Sequence, residues 1–239
     1  MVPCAHVPGA GRCPNASTAV LDVMSFFDVI YVICTGKNCK RHEAGYWRKD
    51  VQEKIRIVRG VYGPNKRLNS FNLHLDCINR GRRRGHETLL ILEDDVRPVP
   101  RHSLTHSDSS RILSALKRGH WEVLRLASYP RLFSIHHRSP VCPHPCRCES
   151  VVPRLCQING SCDMRNTEAY AVHRNAFSKF PVQYEGYLWY DQWLNYQGLV
   201  QYFVMPQLFV QQIKQGEVYT TERFAKKCVS RKSPTFAAT

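Results

Sequence analysis

The chain has 239 residues, of which 34 are Lys or Arg and 19 are Asp or Glu, and its formal net charge is +15. This length suits one α/β domain and is short for two, while a hydrophobic fraction of 43% argues against a disordered chain. The positive charge indicates a polyanionic partner, such as nucleic acid, an acidic membrane surface or a nucleotide diphosphate, without choosing among them.

Short apolar runs alternate with longer amphipathic ones, which is the pattern of an α/β domain. Strands are predicted over 28–34, 55–61, 88–92, 121–126, 168–173 and 199–205, and helices over 40–54, 68–80, 110–118, 174–180 and 189–196. Gly81 is expected to end the second helix, and Val96, Arg97 and Pro98 are expected to leave the sheet. The stretch 129–166 is rich in Pro, Cys and His and is predicted to be an irregular insertion.

The two ends of the chain are expected to lie outside this domain. No segment reaches the roughly 18 apolar residues of a membrane helix. The first residues also lack the continuous apolar region of a signal peptide. We therefore expect a disordered leader over 1–25, a domain over 26–222, a basic tail over 223–239, a cytoplasmic location and no integral membrane segment.

An acidic run, Glu93-Asp94-Asp95, follows directly after the apolar strand over 88–92. Alternate residues of a strand point the same way, so Glu93 and Asp95 are expected to share a face and Asp94 to point to the other. Ligands of open α/β sheets bind beyond the carboxyl ends of the strands, and two carboxylates together with substrate phosphates suit Mg²⁺ or Mn²⁺. Glu93 and Asp95 are the predicted metal ligands. The alternative is a solvated acidic turn that caps a helix.

A second acidic residue, Asp191, lies among Tyr187, Trp189, Tyr190 and Trp193. A carboxylate that aromatic rings shield from water can act as a general base, and aromatic rings also suit the apolar faces of sugar rings. Asp191 is therefore the predicted catalytic base. The alternative is an N-terminal helix aspartate beneath a hydrophobic cluster.

The order of these segments resembles glycosyltransferase family 25, the lipooligosaccharide and procollagen galactosyltransferase family. The resemblance spans about residues 27 to 212 apart from the insertion, and its most specific part is the run LLILEDDV over 89–96. The other similar segments are DVIYVI (28–33) with Lys40-Arg41, SFNLH (70–74), WEVLRL (121–126), TEAYAV (167–172), YDQWL (190–194) and PQLFVQ (206–211).

The resemblance implies a GT-A-like, Rossmann-like nucleotide-sugar-binding domain that contains the Cys/His-rich insertion. It implies a galactosyltransferase or related enzyme, which uses Mn²⁺ or Mg²⁺ to move galactose or glucose from a UDP-sugar to a glycan or glycoprotein acceptor, with inversion. Thr35, Lys37 and Arg41, which follow the first strand, and Asp94 are the predicted cofactor-binding residues near the nucleotide. No histidine is evident in the sequence as a third metal ligand.

The insertion holds a cluster of five cysteines, Cys142, Cys146, Cys148, Cys156 and Cys162. Their spacing is compatible with a structural Zn²⁺, with disulfides or with free thiols.

Two other functions remain open at this point. The charge of +15 and a zinc-stabilised Cys/His loop would suit a nucleic-acid-binding module. A metal-dependent nuclease or phosphotransferase would share the carboxylates, but it would need more of them converging on two metals.

Overall fold

The computed structural model describes residues 17–35, 39, 42, 47–60, 63–98, 104–127, 129–130, 147–159, 164–165, 167–205, 207–213 and 217–218. The expected tail over 223–239 and the first 16 residues of the expected leader lie outside these ranges. Within the described ranges, no helix is long and apolar enough to cross a membrane.

The architecture is a mixed α/β sheet with helices on both faces. The strands are β1 (Val29–Cys34), β2 (Ile55–Arg59), β3 (Thr88–Glu93), β4 (Val96–Pro98), β5 (Val123–Arg125), β6 (Tyr129–Pro130), β7 (Arg147–Val152), β8 (Leu155–Asn159), β9 (Met164–Arg165), β10 (Ala169–His173), β11 (Gln201–Val204), β12 (Phe209–Ile213) and β13 (Glu217–Val218). The helices are α1 (Thr18–Ser25), α2 (Lys49–Gln52), α3 (Lys66–Arg83), α4 (His106–Leu116), a 3₁₀ helix (Arg174–Lys179) and α5 (Tyr190–Asn195).

Eight strands form the main sheet in the order β2-β1-β3-β10-β5-β11-β8-β7. β1 is parallel to both neighbours, β2 and β3, and all six of its residues are buried, as expected for a strand covered on both faces. The chain passes from β1 to β2 on one side and then to β3 on the other. The strand order therefore reverses between β1 and β3, and such a reversal opens a ligand crevice at the carboxyl ends of the two strands.

β10 runs antiparallel between β3 and β5. Its register places Ala169 opposite Leu92 and Tyr170 opposite both Ile91 and Arg125. The beginning of β10 therefore lies beside the end of β3.

Two apolar cores cover the faces of the sheet. Ile30, Val32, Leu90 and Leu92 face the core that is closed by α1 and α4. Their neighbours in sequence face the core closed by α3 and α5, whose members include Val29, Tyr31, Leu89, Ile91, Phe71, Leu75, Tyr190 and Trp193. Because α3 leads from the end of β2 to the beginning of β3, its N-terminus lies at the carboxyl end of the parallel strands.

The expected leader is wrong for its last part. Thr18–Ser25 forms α1, and the side chain of Ser17 accepts a hydrogen bond from the backbone N–H of Val20 as its N-cap. Val20, Val23 and Met24 are fully buried. The last part of the expected leader therefore belongs to the domain.

Two other expectations also need correction. Within the insertion, β7 and β8 form a hairpin that extends the main sheet, since β8 pairs with β11. Val96–Pro98 leaves the main sheet as expected, and it forms β4, which pairs with β12 in a second sheet of three strands. α3 continues past Gly81 to Arg83. The glycine allows close packing rather than ending the helix, because a side chain at this position would collide with Leu89. Gly85, with φ +70°, follows the end of the helix.

Candidate active site

Two acidic residues meet where β3 ends and β10 begins. The backbone N–H of Glu93 donates to the Glu168 carbonyl at 2.8 Å, which continues the ladder one step beyond the Leu92–Ala169 pair. Alternate side chains of β3 point to the same face of the sheet. Glu93 therefore lies on the same face as Leu89 and Ile91, which is the face that α3 covers. Like charges directly opposite each other on neighbouring strands destabilise a sheet, so this pairing calls for a compensating group.

Glu168 is a buried carboxyl group with a strongly perturbed pKa. Burial, and then the nearby charge of Glu93, raise the pKa of Glu168 well above its ordinary value, with smaller contributions from Asp95 and Asp191. Its Oε2 atom is buried and has no hydrogen-bond partner among the residues that the structure describes. A carboxyl group in this setting is stabilised either by a proton or by a cation.

His74 extends from α3 to the same cluster. Its buried ring brings Nε2 to 3.5 Å from Glu93 Oε1, and its Nδ1 lies 3.2 Å from the Tyr170 hydroxyl. The ring of Tyr190 stacks on His74 with 4.4 Å between centroids and 3° between planes. Tyr170 donates its own proton to the Tyr190 hydroxyl at 2.9 Å, so its oxygen can accept from His74 Nδ1–H. His74 Nε2 then faces Glu93. Metal-binding histidines commonly have this arrangement, in which one ring nitrogen is held by a hydrogen bond and the other is left to bind the metal.

Arg125 supplies a buried positive charge to the cluster. Its Nε donates to Gln201 Oε1 at 3.0 Å, and its Nη2 donates to Asn195 Oδ1 at 3.3 Å. Burial lowers the pKa of Arg125 to about 10, and the nearby Tyr190 and Asp191 partly oppose that shift. The guanidinium therefore remains protonated at neutral pH and offsets part of the acidic charge.

Asp191 occupies the first turn of α5, where its Oδ1 accepts from the Gln192 backbone N–H at 2.8 Å. Its charge acts on both Glu168 and Arg125. Glu168 thus interacts with all three acidic residues that the sequence places in metal and catalytic roles, namely Glu93, Asp95 and Asp191.

Asp94 lies at the crevice between β1 and β3. Its Oδ2 accepts from the Thr35 backbone N–H at 3.2 Å and lies 3.7 Å from Cys39 Sγ. The structure therefore brings together two of the four residues expected near the nucleotide, Thr35 and Asp94. The other two, Lys37 and Arg41, lie outside the described residues.

A disulfide joins Cys34 to Cys39 beside Asp94. The potential metal-binding atoms of Cys34, Cys39 and Asp94 all lie within 4.8 Å of one another, which holds for no other group of three among the described residues. While the disulfide is intact, the two sulfurs are not thiolates, and the trio does not provide the ligands that zinc prefers.

A divalent ion at the cluster around Glu93 would share its coordination with a substrate. The cluster brings Glu93 Oε1 and His74 Nε2 to 3.5 Å, while no three of its donor atoms lie within 4.8 Å of one another in the described part of the chain. Its donors are carboxylate oxygens and one imidazole nitrogen, a set suited to Mn²⁺, and Glu168 Oε2 is a buried oxygen that a cation would stabilise. Mg²⁺ and similar ions take only one or two carboxylates when phosphate oxygens complete the shell.

The five-cysteine zinc site needs correction at one position. Cys156 is disulfide-bonded, so it is not a zinc ligand in this structure. The side chains of Cys142, Cys146, Cys148 and Cys162 lie outside the described part of the chain.

The sequence interpretation missed His74, Arg125 and Glu168 as site residues. Each left a signal in the sequence: a histidine on the apolar face of α3, an arginine inside an apolar strand and an acid directly before one. None of these signals indicates a site until the strand pairing brings the three residues together.

No protein-family model matches the chain, and no curated protein matches it. Among solved structures, the chain is similar to A197 from STIV, with a TM-score of 0.48 and 11% identity over 82% of this chain and 90% of that one. It is also similar to apo UDP-glucose pyrophosphorylase, with a TM-score of 0.40 and 11% identity over 88% and 85% of the two chains. For HddC from Yersinia pseudotuberculosis, the TM-score is 0.39 and the identity 10%, over 96% and 94%. Likeness at this distance does not indicate a function.

Proposed function

We propose that this chain is a metal-dependent glycosyltransferase of the GT-A fold, related to family 25. It transfers galactose or glucose from a UDP-sugar to a hydroxyl of a glycan or glycoprotein, with inversion at the anomeric carbon. The single observation that carries this proposal is the buried Glu168 carboxyl group, which lies beside Glu93 at the end of β3 and on which Glu93, Asp95 and Asp191 all act electrostatically.

The location supports a nucleotide ligand. The strand order reverses between β1 and β3, and the acidic run begins at that point with Glu93, the last residue of β3. Thr35 and Asp94 border the crevice and are connected by a hydrogen bond of 3.2 Å. The net charge of +15 favours the approach of an anionic donor.

The charge of the cluster supports a metal. Glu93 and Asp95 would hold a divalent ion, with Glu168 and His74 beside them as further donors. Such an ion would act as a Lewis acid on the departing diphosphate. His74 is kept in place by the Tyr190 ring and the Tyr170 hydroxyl, which preorganises its Nε2 atom.

Asp191 would act as the general base in the transfer step. It would take the proton of the acceptor hydroxyl while that oxygen bonds to the anomeric carbon, and the bond from this carbon to the diphosphate would break with its electrons leaving on the diphosphate. Arg125 would position the base by charge and through α5, since its Nη2 atom donates to Asn195 of that helix.

The test is turnover of a panel of UDP-, GDP- and CMP-sugars, with and without Mn²⁺. We expect metal-dependent turnover of UDP-galactose or UDP-glucose by the wild-type chain, and a loss of at least 100-fold, about 2.7 kcal/mol of transition-state stabilisation, in the Glu93→Ala/Asp95→Ala variant.

The control for this experiment is Glu53→Gln, which removes an exposed carboxylate that follows α2, far along the chain from the cluster. This variant is expected to keep wild-type turnover. A folded wild-type chain that turns over no donor with Mn²⁺ present would contradict the proposal.

A metal-dependent phosphotransferase or nuclease is the second candidate. Four interacting acidic residues are more than a single-metal site needs, and a two-metal site uses such a set. Mg²⁺-dependent cleavage of a phosphodiester, lost in the same double variant, would favour this candidate over glycosyl transfer.

A further inference from the structure

Three consecutive apolar side chains lie exposed directly before α5. Tyr187 is 88% exposed, Leu188 37% and Trp189 48%, and we call these three residues the aromatic segment. Single exposed apolar residues are ordinary on protein surfaces, but a contiguous group next to a candidate site indicates a binding role.

The aromatic segment is held firmly in place. Tyr184 stacks on Phe71 with centroids 3.7 Å apart, and its hydroxyl accepts from the Leu188 backbone N–H at 3.1 Å. Gln192 Oε1 accepts from the Trp189 backbone N–H at 3.2 Å. The exposed rings are therefore presented by a backbone that is anchored at two points, which lowers the entropy lost when a ligand binds.

Arg67 connects the segment to the carboxyl end of the sheet. Its Cζ lies 5.4 Å from the Trp189 ring centroid, a cation–π distance, and its Nη1 donates to the Tyr187 carbonyl. Arg67 belongs to the first turn of α3, which begins at the same end of the sheet as Glu93. Asp191 follows Trp189 by two positions, so the segment borders the carboxylate cluster.

We propose that the aromatic segment, with Arg67, is a subsite that binds a neutral hexose saccharide. Its identification as the acceptor subsite rests on the proposed glycosyltransferase function. A hexose has an apolar C–H face, which suits the rings of Trp189 and Tyr187, and an edge of hydroxyl groups, which suits Arg67.

Other occupants fit the segment less well. A stable protein partner needs a far larger interface than three side chains supply. A nucleotide is expected at the crevice between β1 and β3, which Thr35 and Asp94 border.

The test is saturation-transfer NMR with lactose, cellobiose and maltose, in the absence of any donor and any metal. We expect binding by the wild-type chain, a loss of affinity of at least tenfold in Trp189→Ala and a clear weakening in Tyr187→Ala. The matched control is Tyr196→Ala, which removes an aromatic ring that is 71% exposed just after α5, and it should bind as the wild type does.

Three results would overturn the subsite. They are no saturation transfer to any of the three disaccharides, equal affinity in the wild type and Trp189→Ala, and, in a parallel sample with uridine, a uridine signal that exceeds the disaccharide signals and depends on Trp189. Because Tyr187 is almost fully exposed, Tyr187→Ala keeps the test valid if Trp189→Ala does not fold. The NMR experiment contains no donor, so a lack of disaccharide binding would refute the subsite without changing the result of the donor-turnover test. Conversely, absent donor turnover with disaccharide binding intact would refute the glycosyltransferase and keep the saccharide site.

Discussion

Glu168 lies opposite Glu93, and this pairing makes it the clearest single-residue probe of the cluster. The folded state holds the Glu168 proton more tightly than the unfolded chain does, because burial and Glu93 raise its pKa. Stability is therefore lost as the pH rises above the unfolded value of 4.5, and a metal ion would offset that loss.

Glu168→Gln tests this interpretation. In metal-free buffer at pH 7 we expect its melting temperature to equal or exceed that of the wild type, because a neutral amide avoids the cost of either protonating the carboxyl group or burying its charge beside Glu93. Added Mn²⁺ should raise the melting temperature of the wild type and raise that of the variant less. Thermal unfolding with and without Mn²⁺ measures both effects, and Glu149→Gln, at an exposed position of β7, is the control. A variant that is markedly less stable without metal would contradict the interpretation.

Arg125 is the buried positive charge that offsets part of the negative charge of the carboxylates around Glu168. Arg125→Met should lower the free energy of unfolding by about 3–5 kcal/mol, since removing one partner leaves buried acidic groups without their cation. Urea unfolding at pH 7 measures this change. The control is Arg111→Met on the exposed side of α4, for which we expect a change within about 0.5 kcal/mol. A loss no larger than that of the control would remove Arg125 from the charge balance.

At the scale of elements, α1 belongs to the core of the domain. Met24→Ala should lower the free energy of unfolding by about 2–5 kcal/mol, because the side chain is fully buried between α1 and the sheet. Thr18→Ala, at an exposed position of the same helix, should change stability far less. Equal values for the two variants in urea unfolding would show that α1 does not dock as described.

The beginning of the 3₁₀ helix carries a pH-sensitive cap. His173 Nδ1 accepts from the Asn175 backbone N–H at 3.2 Å, which requires the neutral ring. Burial lowers the pKa of His173 and Arg174 lowers it further, while Glu87 and Asp28 oppose the shift. With a folded pKa below the unfolded value of 6.5, the stability from His173 is complete above that value and is lost as the pH falls below it.

His173→Asn should retain the cap, because asparagine is a good N-cap residue, and should remove this titration. The free energy of unfolding should fall less in the variant than in the wild type between pH 7 and pH 5.5. Urea unfolding at several pH values in this range checks the difference. Parallel losses in the two proteins would mean that His173 does not titrate as described.

At the scale of the whole molecule, the sequence predicted the parallel half of the sheet well. The apolar runs over 28–34 and 88–92 became β1 and β3, and the acidic run begins at the last residue of β3, Glu93. These features are local, because burial on both faces leaves a continuous apolar run in the sequence.

The rest of the site depends on pairing between distant segments. The register of β10 against β3 places Glu168 opposite Glu93, and β5 brings Arg125 beside Tyr170. No local sequence pattern determines how β10 aligns with β3 or with β5, so Glu168 and Arg125 could not be identified as site residues from the sequence. For the same reason the β7–β8 hairpin was taken for an irregular insertion, although it pairs with β11.

The carboxylates at the end of β3 are proposed to bind a metal together with a nucleotide diphosphate. The measurement that tests this binding is a titration of Mn²⁺ followed by electron paramagnetic resonance, in the presence and absence of UDP, on the wild type and Glu93→Ala/Asp95→Ala. We predict that the wild type binds Mn²⁺ and that UDP tightens this binding at least tenfold, while the double variant shows neither effect. A folded wild-type chain whose Mn²⁺ affinity is unchanged by UDP, or equals that of the double variant, would contradict the account.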